Sequence, residues 1–111
     1  MSNPAIDQPT FKELQEAAGA DFVAELVDTF LQEAPRMMSE LRDALAAGDS
    51  DAYRRIAHSF KSNAGNFGAL PLAEQLRAIE LNGLPTDAGP LDALQTEYDR
   101  TAAALKNLAN G

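Results

Sequence analysis

Apolar residues recur three or four positions apart along almost the whole chain, and strictly alternating apolar and polar runs are hard to find. That spacing predicts helices throughout. A short first helix opens at Thr10-Phe11-Lys12-Glu13, a capping box in which the Thr10 and Glu13 side chains satisfy free end donors, and stops near Gly19. The second begins about Asp21 and carries Val23, Leu26, Val27, Phe30, Ala34, Met37, Leu41 and Leu45 down to Gly48. Pro35 falls inside it, removing a backbone donor and crowding the preceding turn, so a kink is expected there. At about 100° per residue the apolar stripe covers roughly half the circumference. A stripe that wide either touches two neighbouring helices or leaves a margin, Phe22 and Leu26, free for a docking partner.

Asp49 or Ser50 caps a third helix reaching about Asn66, which Gly68 ends in the C′ role. Pro71 suits the first turn of a fourth helix, which passes through Leu72, Leu76 and Ile79 to Asn82-Gly83. After a loop over 84–90, the last helix carries Leu91, Leu94, Tyr98, Leu105 and Leu108, the seam of a bundle. The expected fold is all-α: an antiparallel four-helix bundle with a short additional N-terminal helix covering one end. The sequence contains no internal repeat, low-complexity tract or linker, so 1–111 reads as one domain with an ordered core of about 8–109.

Composition narrows the function. With 45% of its 111 residues hydrophobic, the chain can bury a core and fold unaided. It has no cysteine, which excludes disulfides and thiolate metal sites. A formal net charge of -8 argues against nucleic acid and anionic membranes as partners. Met1-Ser2-Asn3-Pro4-Ala5 shows neither a basic nor an apolar leader, and no apolar run approaches a membrane span. A cytoplasmic, monomeric protein is the expectation.

The third helix carries the chemistry. Tyr53, Ile56, Ala57, Phe60, Ala64 and Phe67 fall within one arc of roughly 100°, the face to be buried. His58, the single histidine, lies about 150° from the centre of that arc and points outward. Arg54, Lys61, Ser62 and Gly65 share its side. A histidine that relays phosphate needs a neutral ring nitrogen exposed to an incoming partner. Lys61, one turn on, can disfavour ring protonation and later stabilise the charge of a bound phosphoryl group. Arg54 can assist from the preceding turn or be an ordinary solvated residue. Ser62 and Gly65 are small and leave room for another protein's active site. Glycine is also common near helix ends, which would explain Gly65 equally well. Between Ala52 and Ala73 stand three basic residues and no acidic one, a cationic patch on an acidic chain.

The stretch Ala57-His58-Ser59-Phe60-Lys61-Ser62-Asn63-Ala64-Gly65-Asn66-Phe67-Gly68-Ala69, followed by Leu72 and Ile79-Glu80, resembles the histidine phosphotransfer (HPt) domain of multistep phosphorelays. His58, Phe60, Lys61 and Gly68 match the family pattern. Ser62 stands where the family often has glycine, a small departure that keeps the approach open. The resemblance covers most of the chain and implies the bundle fold. It implies a phosphoryl group received on His58 from a receiver-domain aspartyl phosphate and passed to another receiver aspartate, with Lys61 as the phosphate-stabilising residue. Implied partners are receiver domains of response regulators or of a hybrid sensor histidine kinase. No cofactor is implied, because Mg²⁺ in such exchanges belongs to the receiver. Glu80 falls at a position that is polar in the family, without an assigned role.

Other chemistries fit poorly. No carboxylate lies three or four residues from His58, so a metal site lacks ligands. Ser59 and Ser62 have no base and orienting group for nucleophilic hydrolysis. No Gly-rich nucleotide segment is present, which separates the chain from a histidine kinase and leaves a stoichiometric carrier rather than an enzyme. The alternative is a helical interaction adaptor without phosphotransfer, and a substitution of His58 would leave its signalling intact.

Overall fold

The computed structural model describes residues 4–110, of which Asn110 only by its backbone; Met1, Ser2 and Asn3, on which the absence of a leader was partly read, lie outside them. Five helices follow one another: α1 (Gln8–Ala18), α2 (Ala20–Ala47), α3 (Ser50–Asn66), α4 (Leu70–Asn82) and α5 (Gly89–Asn110). α3 packs against α4 and α2, α5 closes the ring against α2 and α4, and α1 lies on α2. The result is the four-helix bundle with its additional N-terminal helix. No helix among the described residues is long and apolar enough to cross a membrane.

The first helix starts earlier than its capping box implies. Asp7, not Thr10, is the N-cap, and its carboxylate accepts from the Thr10 backbone N–H at 3.3 Å and from the Thr10 hydroxyl. Aspartate caps at least as well as threonine, and Pro9 fits the first turn because its missing N–H would have been unpaired anyway. Ile6 and Phe11, at the positions of a hydrophobic staple around that cap, are both buried.

α2 continues without a break through Pro35 to the αL residue Gly48. The proline ring sits on the exposed side, away from the packed stripe of Val23, Val27, Phe30, Ala34, Met38, Leu41 and Ala44. Met38 is therefore the core methionine, whereas Met37, Leu26 and Leu45 pack at its edge, half-buried. On α3 the Asp49 carboxylate caps the start by accepting from the Ala52 N–H at 3.0 Å. Tyr53, Ala57, Phe60 and Ala64 are fully buried, with Ile56 at the margin. Along α5, Leu91, Leu94, Tyr98 and Leu105 are buried as expected, and Leu108 is half-buried. Thr101 joins that seam because its hydroxyl donates to the Glu97 carbonyl at 2.8 Å and needs no other partner.

Four rings tie the bundle together. Phe30 of α2 meets Phe60 of α3, Phe67 after it and Tyr98 of α5, at centroid distances of 6.1, 5.4 and 6.2 Å, all tilted. Phe60 and Tyr98 meet edge to face at 6.2 Å. Such geometries add to plain burial, and deleting one of these rings should cost about 3–5 kcal/mol.

The α3–α4 turn depends on Gly68. Its φ of +77° favours glycine, its carbonyl accepts from the Asp7 N–H at 2.7 Å, and an added Cβ would sit 2.9 Å from the Thr10 Cβ. Gly65, inside α3, has open space where a Cβ would go. Gly68→Ala is expected to destabilise the fold by more than about 1 kcal/mol. Gly65→Ala should stabilise it by up to about 1 kcal/mol. Thermal unfolding of the two variants checks this pair, and a melting temperature for Gly68→Ala at or above the parent's would sink the argument.

Candidate functional site

Filling the buried face of α3 with Tyr53, Ala57, Phe60 and Ala64 forces His58 to the opposite side, where its side chain is 60% exposed. The neighbouring helix then supplies a partner. α3 and α4 form a tight hairpin, and His58 and Glu80 stand eleven residues on either side of Ala69 in its turn. Glu80 Oε2 lies 3.0 Å from His58 Nδ1, and Glu80 Oε1 accepts from Lys61 Nζ at 2.7 Å. One carboxylate therefore joins the ring and the lysine.

This geometry sets the tautomer. An ionised carboxylate only accepts, so Nδ1 carries the proton, and in the neutral ring Nε2 holds the lone pair. The Lys61 hydrogen bond holds the Glu80 carboxyl below its ordinary value of 4.5, helped by the bond to His58 and opposed by partial desolvation. A carboxyl shifted downward contributes its stabilisation above the ordinary value. That contribution disappears as pH falls through the lowered one. Lys61 and Glu80 are each about a quarter exposed, and solvent screening keeps the pair modest in energy.

The other anticipated residues divide. Ser62 and Gly65 are exposed beyond His58 along α3, with nothing near a Gly65 Cβ, which leaves an unobstructed face. Arg54 is exposed, but its guanidinium lies over Gly83: a Cβ there would be 3.0 Å from Nη2. Among the described residues no hydrogen bond or ion pair links Arg54 to His58 or Glu80. Leu26 helps line a cavity of about 300 Å³ with Leu14, Phe30, Asn63, Asn66 and Phe67, between α1, α2 and α3. Phe22 is 52% exposed and lies outside that lining.

Glu80 is the residue whose part was not foreseen. It sits on a different helix from the motif, and only the hairpin register brings it opposite His58. Counting equal distances from the Gly68-Ala69 turn would have found it, because an antiparallel pair of helices aligns positions equidistant from its connection.

A family model, the Hpt domain, matches residues 25–104. Among solved structures, histidine-containing phosphotransfer protein B (HptB) from Pseudomonas aeruginosa PAO1 superimposes with a TM-score of 0.90 at 29% sequence identity, covering 98% of this chain and 97% of that one. No curated protein sequence matches significantly. A match over most of the chain, with the five-helix architecture, makes this protein a member of the Hpt domain family, the phosphocarriers that perform histidine phosphotransfer with receiver domains in phosphorelays.

Proposed function

We propose that His58 is the phosphoacceptor, taking a phosphoryl group from the aspartyl phosphate of one receiver domain and delivering it to the aspartate of another. The observation that carries this reading is the Nδ1 contact to Glu80, which leaves Nε2 as an exposed nucleophile. Attack of Nε2 on phosphorus forms the N–P bond as the receiver's acyl oxygen leaves. The ring becomes cationic, and its Nδ1–H remains on the Glu80 carboxylate throughout. Lys61 is the nearby cation that counters the charge of the phosphoryl group. The chain works as a stoichiometric carrier and not as an enzyme, as one cytoplasmic, monomeric domain over 1–111.

Receiver docking in this reading uses the open face around Ser62 and Gly65 together with the apolar margin of α2. Leu26 in its shallow cavity and the exposed Phe22 offer apolar area beside a charged centre, the composition of an interface core and its rim. Arg54, whose guanidinium lies over Gly83, is assigned no part in the phosphoryl chemistry in this reading.

The decisive experiment mixes aspartyl-phosphorylated receiver domains with the protein and with His58→Gln, and follows acid-labile, base-stable phosphate. Label on the parent alone is the expected result. Retained receiver binding by His58→Gln, with no label on either protein, would favour the adaptor reading. Lys61→Ala should slow transfer roughly tenfold to a hundredfold while changing stability by no more than about 1 kcal/mol; equal transfer rates would remove Lys61 from the site. Gly65→Phe should weaken receiver affinity about tenfold or more by filling the open face, and unchanged affinity would refute the clearance argument. Finally, Lys61→Met should return the Glu80 carboxyl toward 4.5, read by carbon NMR across an acid titration. A carboxyl that titrates identically in both proteins would show that the lysine does not control it.

A further inference from the structure

The carboxylate that orients the ring also occupies the lysine meant for phosphate. In the resting site Lys61 Nζ is 2.7 Å from Glu80 Oε1, and the other oxygen of the same carboxylate is 3.0 Å from the ring. Among the described residues no other cation is hydrogen-bonded or ion-paired to His58 or Glu80. Arg54 lies over Gly83, and Arg77, one turn before Glu80 on α4, pairs with Glu74 at 3.3 Å. Arg55 is an exposed charge one turn before His58 on α3, and among the described residues no hydrogen bond links it to the ring. An orienting role alone needs only an acceptor at Nδ1, which a glutamine carbonyl would supply. A charged residue at position 80 does something further: it cancels the positive charge next to the nucleophile.

We infer that Glu80 is a specificity-determining residue that screens Lys61 from free phosphate-bearing anions, so that His58 accepts phosphoryl groups from a docked receiver in preference to small diffusible donors. This inference rests on His58 being the acceptor. A free donor approaches as an anion, and its local concentration depends on the net charge beside Nε2. With lysine and glutamate paired, those two charges sum to zero in a chain of net charge -8. A receiver-held phosphoryl group gains its local concentration from the protein interface, and its own site neutralises much of its charge. Screening therefore penalises the diffusible donor and leaves the docked one largely unaffected. Lys61 then moves onto the phosphoryl oxygens only once the group is in place.

The test compares two donors on the parent protein, Glu80→Gln and Glu80→Gln/Lys61→Gln. The diffusible donor is phosphoramidate in its N-protonated form: Nε2 attacks phosphorus, the P–N bond breaks and its electron pair leaves on ammonia, while Nδ1 keeps its proton. The docked donor is an aspartyl-phosphorylated receiver, which releases its carboxylate in the same way. Any change in ring nucleophilicity affects both rates and cancels in their ratio. Glu80→Gln should raise the ratio of phosphoramidate rate to receiver rate by roughly three- to tenfold at low salt, with the gain fading as ionic strength rises. Adding Lys61→Gln should return the ratio to near the parent's. An unchanged ratio in Glu80→Gln, or a raised one that survives Lys61→Gln, overturns the inference.

A second readout does not depend on transfer. Inorganic phosphate, titrated against the His58 and Lys61 side-chain NMR signals, should bind Glu80→Gln several-fold more tightly than the parent. Equal affinity also overturns the inference. Absence of label from receivers on the parent would fail the acceptor assignment instead, while the phosphate titration would still report on the screening.

Discussion

α3 lies on the outside of the bundle and buries one face, taken by Tyr53, Ala57, Phe60 and Ala64. Phe60 meets Phe30 and Tyr98, so rotating α3 to hide His58 would pull an aromatic ring out of contact with two other helices. That loss, of order 3–5 kcal/mol for one large ring, exceeds anything the exposed imidazole could gain by burial. The exposure of the histidine is therefore a consequence of core packing. The observed orientation of α3 brings Lys61 and His58 toward α4, where the hairpin register has already placed Glu80.

Features that depend on one helix at a time were legible in the sequence. The helical period, the outward direction of His58, the Asp49 cap and the glycine stops at Gly48 and Gly68 each follow from residues a turn or two apart. Features set by competition were less so. Thr10 carries the capping-box signature, but Asp7 and Pro9 nucleate the helix three residues earlier, and two acceptable caps so close together cannot be ranked without the staple pair Ile6 and Phe11. Met37 and Met38 differ by about 100° on the wheel, and only the position of the neighbouring helices decides which enters the core. Pro35 looked like an interruption because its cost is local, whereas the reason it is tolerated is tertiary: the buried stripe runs on unbroken either side of it. The role of Glu80 went unassigned for a similar reason, since its partners are 19 and 22 residues away on another helix.

The exposed face of α3 is a poor helix former. Ser59, Ser62, Asn63, Gly65 and Asn66 each lower helix propensity relative to alanine, by a few tenths to about 1 kcal/mol per position. Neither the Lys61–Glu80 pair nor the exposed Glu33–Arg36 pair on α2 offsets that, because exposed ion pairs contribute at most about 1 kcal/mol. What holds α3 helical to Asn66 is its buried side, through the four-ring cluster and the Gly68 turn locked against Asp7. Local helix stability and access to the ring thus oppose one another on this face, and tertiary packing on the far side allows access to prevail. Small side chains beyond His58, whose neighbour Lys61 is paired with Glu80, leave an open approach to a protein surface. Packing thus drives His58 outward, while the hairpin register holds Glu80 between the ring and Lys61.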